Sequence, residues 1–511
     1  MSSLYPSSTI RALIAAGGDD APAIGAPGRA PLTHGGLRAL AARTTEALNA
    51  MGIGRNDRVA MVLPNGPEMA AAFIAVAAGA TTAPLNPAYR AEEFDFYLSD
   101  LGAKALVILD GMESPAIAAA AARAIPVIRL VPDADGPAGQ FTLKSDIAAK
   151  PATQGGFAAE DDIALVLHTS GTTSRPKIVP LSQTNITASA YHIGRSLALT
   201  GGDVCLNIMP LFHIHGLIAA TLSSIAAGAS VVATPGFNAL KFFSWFEEVR
   251  PTWYTAVPTM HQAILARADR NAAAIAGSRL RLIRSSSSSL PPQVMEALEK
   301  TFGVPVIEAY GMTEASHQMA SNPLPPAPRH AGSVGIAAGP EVAIMDEKGN
   351  ILPPGALGEV VIRGRNVTKG YEANPAANAS AFTNGWFRTG DQGIIDEAGY
   401  LRLTGRLKEL INRGGEKISP LEVDTVMMDH PAVAQVVTFA MPHDKLGEEV
   451  AAAVVLREGS ACDERELRAF ISARLADFKV PRRILFLAEI PKGATGKLQR
   501  IGLAEKLGLA G

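Results

Sequence analysis

The sequence predicts an α/β fold in which a large N-terminal body is followed by a small, mobile α+β cap. Over most of the 511 residues, short apolar runs alternate with alanine-rich stretches, which is typical of parallel strands joined by helices. Residues 341–405 instead contain short strands between polar turns. Glycine and charge then concentrate at 405–420, after which the pattern restarts. Because a chain of this length exceeds one ordinary core, we expect two domains, 1–405 and 406–511.

The first part of the body carries the signal for parallel sheets. The runs RVAMVL (58–63), ALVIL (105–109) and PVIRLV (126–131) have the length and composition of strands. An alanine-rich stretch that extends to about residue 80 has those of a helix. Strands that are apolar on both sides favour sheets covered by helices on both faces.

The later elements have a different character. In 341–405 the strands VAIM, GEVVIRG and YLRLTG are separated by the turns DEKGN, PPGALG and DEAG, which predicts an antiparallel, barrel-like subdomain. The last part contains the helix LEVDTVMMDH, the strands VAQVVTFAM and VAAAVVLRE, and a helix with Leu467, Phe470, Ile471 and Leu475 on one face. About 100 residues suffice for a small α+β domain.

Composition excludes several classes of protein. The hydrophobic fraction of 48%, the charged fraction of 18% and the net charge of −2 indicate a soluble globular protein without the basic field that attracts nucleic acid. Residues 216–233 are uncharged, but their polar interior favours a buried helix and strand over a membrane span. Two distant cysteines, Cys205 and Cys462, lack metal-binding spacing and no signal peptide is recognisable, so we expect a cytoplasmic protein with free thiols.

A loop rich in hydroxyl groups follows the apolar run IALVL (163–167). It is HTSGTTSRPK (168–177) and precedes a helix-like stretch, so its backbone N–H groups and Lys177 are suited to phosphate oxygens. It does not match the P-loop GxxxxGK[ST], because no Gly-Lys-Ser/Thr stands at the required offset. Taken alone, an ordinary Ser/Thr-rich turn is the alternative.

Two further stretches in the body contain side chains suited to chemistry. PLFHIHG (210–216) has two histidines in an apolar setting, but no cysteine or acidic partner at zinc-like spacing, so buried structural histidines are the alternative. In EAYGMTEASH (308–317), Tyr310 could stack on a flat ring, Thr313 could donate to a phosphate and Glu314 could coordinate Mg²⁺. The alternative there is a polar loop at a sheet edge.

Two stretches near the hinge and the C-terminus complete the set. WFRTGD (386–391) ends in Asp391, whose carboxylate can accept two ribose hydroxyls, and Arg406 follows shortly. A hairpin turn and a surface cation are the alternatives. PKGATGKLQR (491–500) contains the glycine-flanked Lys497, for which a solvated tail lysine is the alternative.

Together these motifs carry a resemblance that none of them carries alone. TSGTTSRPK, PLFHIHG, YGMTEA, WFRTGD, GRLKELINRGGEKISPLEVD and PKGATGK occur in the order and approximate spacing of the acyl-adenylate-forming (ANL) superfamily. The resemblance covers essentially the whole chain. It implies stacked αβαβα sheets, a β-barrel-like subdomain and a mobile cap. It also implies that a carboxylate joins the α-phosphate of ATP, that pyrophosphate leaves, and that a thiol then attacks the acyl-adenylate.

The resemblance implies a nucleotide-binding role for each motif. The residues implied to bind the β- and γ-phosphates are Thr169, Ser170, Gly171, Thr172, Thr173 and Lys177. Those implied to surround the adenine are Glu308, Ala309 and Tyr310, with the backbone of Ser287 and Ser288 on the other side. Those implied for the ribose and the α-phosphate are Asp391, Arg406, Thr313 and Lys497.

The same resemblance implies the catalytic groups and the co-substrates. The implied catalytic residues are Lys497, Thr313, Glu314 and His213. Glu314 would hold Mg²⁺, Lys408 matches the hinge of the cap, and Gly414 and Gly415 would border the thiol tunnel. No LGGxS-like carrier stretch follows the cap, so we expect coenzyme A as the thiol.

The acid pocket is where the sequence departs from long-chain enzymes. The residues implied to line it are His213, Ser289, Gly311 and His317. This polar set favours a small acid with a second polar end, because desolvating a carboxylate without partners is costly. FHIHG, WYTAVPTMHQ, RSSSSSL, AYGMTEASHQMASNPLP and NVTKGY together resemble the oxalyl-CoA synthetases. The alternatives are malonate or another short acid, and a His317 that only supports its loop.

Other functions on this fold are disfavoured. A non-catalytic nucleotide-binding regulator should have lost Glu314 or Lys497, and no pocket for an aromatic luciferin is recognisable. Two departures from the common phosphate loop TTGxPKGV stand out, because Ser174 and Ile178 replace glycines. The serine run RSSSSSL also replaces an SGGAP-type adenine wall.

Overall fold

The computed structural model describes residues 5–169, 176–493 and 497–509. Strands and helices are numbered in chain order. The strands of the body's two large sheets are β1 (Pro22–Ala26), β2 (Arg29–Thr33), β3 (Arg58–Val62), β4 (Thr81–Pro84), β5 (Ala105–Leu109), β6 (Val127–Pro132), β7 (Phe141–Lys144), β8 (Ile163–Thr169), β9 (Lys177–Ser182), β10 (Val204–Asn207), β11 (Ser230–Ala233), β12 (Trp253–Ala256), β13 (Leu282–Ser286), β14 (Val306–Met312), β15 (His317–Ser321) and β16 (Ile336–Ala337).

The remaining strands and the helices complete the described chain. These strands are β17 (Glu341–Met345), β18 (Leu357–Arg363), β19 (Phe382–Thr383), β20 (Trp386–Ile395), β21 (Leu401–Arg406), β22 (Ile411–Arg413), β23 (Glu416–Ile418), β24 (Val433–His443), β25 (Gly447–Leu456) and β26 (Arg483–Phe486). The α-helices are α1 (Ile10–Leu13), α2 (His34–Ala50), α3 (Pro67–Ala77), α4 (Ala91–Leu101), α5 (Pro115–Ala122), α6 (Gln183–Ser196), α7 (Ser223–Ala226), α8 (Phe242–Val249), α9 (Pro258–Leu265), α10 (Ala272–Ala276), α11 (Pro292–Phe302), α12 (Pro375–Ala381), α13 (Pro420–Met428), α14 (Glu464–Ser472) and α15 (Leu503–Lys506).

Two mainly parallel sheets form the body. The first has the strand order β7-β6-β5-β3-β4-β8-β9, in which only the edge strands β7 and β9 run antiparallel to their neighbours. The second has the order β16-β15-β14-β13-β12-β10-β11-β1-β2 and is parallel from β14 to β1. The predicted α/β class and the three predicted strands β3, β5 and β6 are therefore confirmed.

The main apolar core lies among both sheets and the helices around them. Helix α3 is buried on nearly all sides, which suits its run of small alanines and explains why it shows no polar face. The uncharged stretch 216–233 forms a buried π-helix (His215–Leu222), the short α7 and the strand β11, as predicted. Within the described residues no helix has both the length and the apolar character that a membrane crossing requires.

The third sheet and the cap also follow the prediction. Strands β17, β18, β20 and β19 pair in that order, with β21 on β20, and all of these pairs are antiparallel. The cap combines a sheet of β22 to β26 with α13 and α14. On α14, Leu467 and Ile471 are buried and Phe470 is half-buried. The antiparallel subdomain and the small α+β domain are thus confirmed, whereas the 405/406 boundary stays a prediction.

The cap contacts the body through polar groups. Gln262 on α9 donates its side-chain amide to the carbonyl of Ala434 at 3.2 Å, and Gln293 on α11 donates to Asp429. These two hydrogen bonds join α9 and α11 of the body to the part of the cap where α13 ends and β24 begins.

Ile178, one of the two departures in the phosphate loop, has a structural role. It pairs with His168 across the β8–β9 hairpin and is 7% exposed. Its side chain joins the apolar layer formed by Val166 and by Phe94 and Leu98 of α4. The branched side chain therefore anchors β9 behind the loop.

Candidate active site

The predicted motifs meet where strands of the two large sheets end. Thr169 and Lys177 are paired at the end of the β8–β9 hairpin. The loop between them includes the predicted residues Ser170, Gly171, Thr172 and Thr173, which lie outside the described residues. The ammonium of Lys177 lies 4.3 Å above the ring centroid of Tyr371, a cation–π contact that fixes the lysine beside this loop.

Tyr371 also fixes Glu314. The Tyr371 hydroxyl donates to Glu314 Oε1 at 2.8 Å, and the carboxylate is 6% exposed. Burial raises the pKa of Glu314, while the hydrogen bond from Tyr371 and the positive charges of Arg406 and Lys177 oppose that rise. Tyr371 ends the stretch NVTKGY, but its contact with Glu314, 57 residues away, is visible only in the structure.

Glu314 is suited to hold Mg²⁺. Its carboxylate is oriented by Tyr371 on one oxygen, and Mg²⁺ in nucleotide sites is typically bound by one or two carboxylates together with phosphates. Among the described residues, the group of three histidine, cysteine or acidic side chains close enough to share an ion lies elsewhere, at His430, Cys462 and Glu466 of the cap. Glu314 would therefore be the main protein ligand, with the nucleotide supplying the others.

Asp391 is held by two of the predicted residues. The Tyr310 hydroxyl donates to Asp391 Oδ2, and Arg406 Nε donates to Oδ1 at 3.1 Å. Strands β20 and β21 place Asp391 opposite Arg406, and the carboxylate is 6% exposed. We call Glu314, Asp391, Tyr310, Tyr371 and Arg406 the carboxylate cluster.

The segment around Glu308 forms the neighbouring wall. Glu308 Oε1 accepts the backbone N–H of Leu290 at 2.9 Å, and its other oxygen has no partner among the described residues. Burial raises the pKa of Glu308 to about 8, so this side chain is largely neutral at pH 7. Ser287 adopts a left-handed backbone with φ of 76°, and Ser288 is exposed.

Three imidazoles converge on the other side, and we call His213, His215 and His317 the histidine cluster. His215 is fully buried, with Nε2 2.6 Å from Thr255 Oγ1 and Nδ1 3.0 Å from Ser287 Oγ. The His215 and His317 rings meet edge to face with centroids 4.9 Å apart. His317 is 1% exposed, yet neither ring nitrogen has a partner among the described residues.

Gly311 and the backbone of His317 fit together closely. A Cβ at Gly311 would lie 1.8 Å from the His317 carbonyl oxygen, so only glycine is tolerated there. His317 itself has φ of 104°, a strained value for a residue with a side chain.

The charge of Lys497 acts on both clusters. Burial lowers the pKa of each imidazole of the histidine cluster, and the positive charge of Lys497 adds to this. Burial lowers the pKa of Lys497 itself to about 8, with repulsion from Arg406 adding to this and attraction to Asp391 opposing it. The cap is therefore in a position that inserts this lysine into the site.

The other predicted residues divide into two groups. Thr313 begins a short 3₁₀ turn with Glu314, and Ala309 pairs with Ser286 on the neighbouring strand, so both are at the site. Ser289 is exposed and does not join the buried histidines. Lys408 is exposed in a turn of the cap, while Gly414 and Gly415 form the β22–β23 turn with φ of 59° and 101°. The roles of these cap residues stay predictions.

Comparisons with known proteins agree with this geometry. Residues 13–372 match the family of AMP-binding enzymes, and residues 422–497 match the AMP-binding enzyme C-terminal domain. The chain is 48% identical over 489 residues to the oxalate–CoA ligase of Arabidopsis thaliana, covering 94% of each chain. It is also 48% identical over 491 residues to the probable CoA ligase CCL9 of Humulus lupulus, covering 95% of this chain and 93% of that protein.

A solved structure has the same arrangement of body and cap. The crystal structure of ATP-bound MatB from Rhodopseudomonas palustris matches with a TM-score of 0.87 at 32% identity, covering 98% of both chains. The likeness therefore extends over both domains. The chain belongs to the family of AMP-binding enzymes and is an AMP-forming acid–CoA ligase that uses ATP.

Proposed function

We propose that the chain is an oxalate–CoA ligase, which converts oxalate, ATP and CoA into oxalyl-CoA, AMP and pyrophosphate. The observation that carries the proposal is His317, a buried imidazole with both ring nitrogens unpaired at the acid side of the site. A buried donor without a partner costs about 1–3 kcal/mol, so the site is incomplete without a polar ligand. An alkyl chain would leave both nitrogens unpaired, whereas a second carboxylate would accept the one N–H that a neutral imidazole carries.

The size of the acid is limited by its surroundings. His317 packs against His215, and the backbone of His317 closes on Gly311. A long acid would have to displace these buried groups, but a two-carbon diacid presents its second carboxylate directly to them. The 48% identity to an oxalate–CoA ligase supports the same choice.

In the proposed first step, one oxalate oxygen attacks the α-phosphorus of ATP and pyrophosphate leaves. Lys177 and the hydroxyl-rich loop would hold the β- and γ-phosphates, and Asp391 with Arg406 would hold the ribose. Lys497 would donate hydrogen bonds to the α-phosphate oxygens and offset the charge that builds up there. Mg²⁺ bound at Glu314 would neutralise further phosphate charge.

The proposed second step uses the same acyl group. The thiolate of CoA attacks the carbonyl carbon of oxalyl-AMP, the C–S bond forms, and the bond to the AMP oxygen breaks. We propose that the cap rotates near Lys408 between the steps, which withdraws Lys497 and brings Gly414 and Gly415 to the thiol path.

The test is an AMP-release assay with ATP and CoA across oxalate, malonate, acetate, octanoate and coumarate. We expect kcat/KM to be highest for oxalate. Higher activity with malonate would leave the proposed two-step reaction standing and make malonate the substrate. Activity with octanoate and none with oxalate would overturn the proposed acid.

A further inference from the structure

A fully buried arginine lies beside the histidine cluster. Arg284 is in the middle of β13, in register with Thr255 on β12, and is 0% exposed. Its Nη2 donates to Gln318 Oε1 at 3.2 Å, while Nε and Nη1 have no partner among the described residues. The guanidinium therefore has two unused donor groups in the protein interior.

Gln318 cannot neutralise this cation. Its amide nitrogen donates to Ser196 Oγ at 2.9 Å and to the carbonyl of Ala338 at 3.0 Å, which turns its oxygen toward Arg284. The only carboxylate on the adjoining positions of β13 and β14 is Glu308, which pairs with Ser285 and accepts from Leu290. Since side chains alternate along a strand, Glu308 and Arg284 face opposite sides of the sheet.

No hidden acidic residue can supply the missing charge. The residues outside the described ranges, 1–4, 170–175, 494–496 and 510–511, contain neither aspartate nor glutamate. An unpaired buried charge costs several kcal/mol, and arginine does not lose its proton in proteins. The resting structure therefore holds a cation that requires an external anion.

The position of Arg284 indicates which anion this is. Arg284 is in register with Thr255, whose hydroxyl lies 2.6 Å from His215 Nε2. It also donates to Gln318, the residue next to His317. Burial lowers the pKa of His215 and His317, and the charge of Arg284 adds to this. The charge of Lys497, which we propose contacts the α-phosphate, adds to the lowering of the same two pKa values. Arg284 therefore lies beside the histidine cluster, where we propose that the acid binds.

We propose that Arg284 is the specificity-determining residue for the acid: its free guanidinium nitrogens bind the distal carboxylate of the substrate, and His317 donates alongside. The inference rests on the proposed function and refines it. An acid without a second anionic group would leave Arg284 unpaired, so charge at the distal end, rather than the length of the acid alone, would decide which substrate is activated.

The test compares two isosteric acids in two variants. Oxamate has the shape of oxalate with an amide in place of one carboxylate. In Arg284→Met the side chain keeps its length and loses its charge. We expect KM for oxalate to rise by about tenfold or more, because hydrogen bonds to charged groups are lost, while KM for oxamate and for ATP changes less than about threefold. The matched control is Arg281→Met, which removes an arginine of the same segment that pairs with Asp203 away from the histidines.

A thermal shift measurement separates recognition from folding. Arg284→Met removes an unpaired buried charge, so the free variant should unfold at the same temperature as the parent or above it. Oxalate should raise the unfolding temperature of the parent and leave that of the variant unchanged. A variant that is destabilised without ligand and still stabilised by oxalate would show a structural arginine and overturn the inference.

The two levels of the proposal fail differently. If the parent enzyme does not activate oxalate, the proposed function fails whatever Arg284 does. If the parent activates oxalate and Arg284→Met still prefers oxalate to oxamate by the same factor, the proposed function stands and the role of Arg284 is refuted.

Discussion

The carboxylate cluster and the histidine cluster face the same space but differ in how their polar groups are paired. Asp391 has Tyr310 and Arg406, and Glu314 has Tyr371. In contrast, both ring nitrogens of His317 and two guanidinium nitrogens of Arg284 have no partner among the described residues. The carboxylates are held by side chains of the protein, whereas His317 and the neighbouring Arg284 have donors left for a ligand.

This difference assigns two tasks to the site. Paired carboxylates are preorganised, so they can bind a nucleotide without reorganisation. Buried donors without partners destabilise the protein until an anion binds to them. Acids that lack a second anionic group cannot pair these donors, so the site binds them more weakly. The predictions below probe each side and Lys497.

The largest expected effect is at Lys497, which belongs to neither cluster. Lys497→Ala removes the cation proposed for the α-phosphate, and we expect adenylation to fall by about 10³-fold. Conversion of a supplied acyl-adenylate with CoA should stay within about threefold of the parent. Pyrophosphate release and thioester formation measured separately check this. Lys492→Ala, which removes a cap lysine paired with Glu489, is the control. Equal loss of both half-reactions would contradict the proposed division of labour.

The acidity of Lys497 gives a second prediction. Only the protonated ammonium stabilises phosphate charge, and the pKa of about 8 means that the proton is lost as pH rises through that value. We expect kcat/KM for adenylation to fall about tenfold per pH unit above 8, although an ordinary lysine would keep it constant to about pH 10. The thioester half-reaction should not share this decline. An identical decline in both half-reactions would assign the titration to another group.

A smaller effect is expected when the carboxylate cluster is loosened. Tyr371→Phe removes the hydrogen bond to Glu314 and keeps the ring under Lys177. Because groups that orient a metal ligand typically affect metal affinity, the Mg²⁺ concentration for half-maximal activity should rise by about tenfold. KM for oxalate should not change. Tyr400→Phe, which loses a hydroxyl bonded to Pro328, is the control, and an equal shift there would refute a specific role.

The last prediction concerns stability rather than activity and involves Glu308, one of whose carboxylate oxygens has no partner among the described residues. In the native protein it keeps its proton up to about pH 8, whereas in the unfolded chain it loses it near pH 4.5. The unfolded state thus binds fewer protons in this window, and stability falls as pH rises. The stability of Glu308→Gln lacks this pH dependence, so at pH 7 its free energy of unfolding should exceed that of the parent by about 1–3 kcal/mol. Denaturant unfolding of both proteins at pH 5 and 7 checks this prediction. The same difference in free energy of unfolding between variant and parent at both pH values would contradict it.

The sequence predicted the functional residues within the motif loops better than it predicted the side chains that contact those residues. Asp391, Glu314 and Lys497 were named because they lie within recognisable motifs, and their roles stay predictions. Tyr371 lies in the quoted stretch NVTKGY, but its role was missed because it reaches Glu314 from a distant segment. Histidines 213 and 215 could not be ranked from FHIHG alone, because which one faces the core depends on the π-helix that begins at the second.

Arg284 shows the same limit more clearly. The stretch RLRLIRS (279–285) contains three arginines, and alternation along a strand cannot tell which one faces inward. Tertiary structure decides this, because Arg281 pairs with Asp203 at the start of the strand while Arg284 lies fully inside. Ser289, predicted for the acid pocket, is exposed, and its role stays a prediction.

The most direct measurement compares KM for oxalate and KM for ATP in one variant of each cluster. His317→Asn, which tolerates the positive φ, should raise KM for oxalate by about tenfold and change KM for ATP less than twofold. Asp391→Asn should do the reverse. If each variant raised both constants by the same factor, the two clusters would not have separate tasks, and the central claim would be wrong.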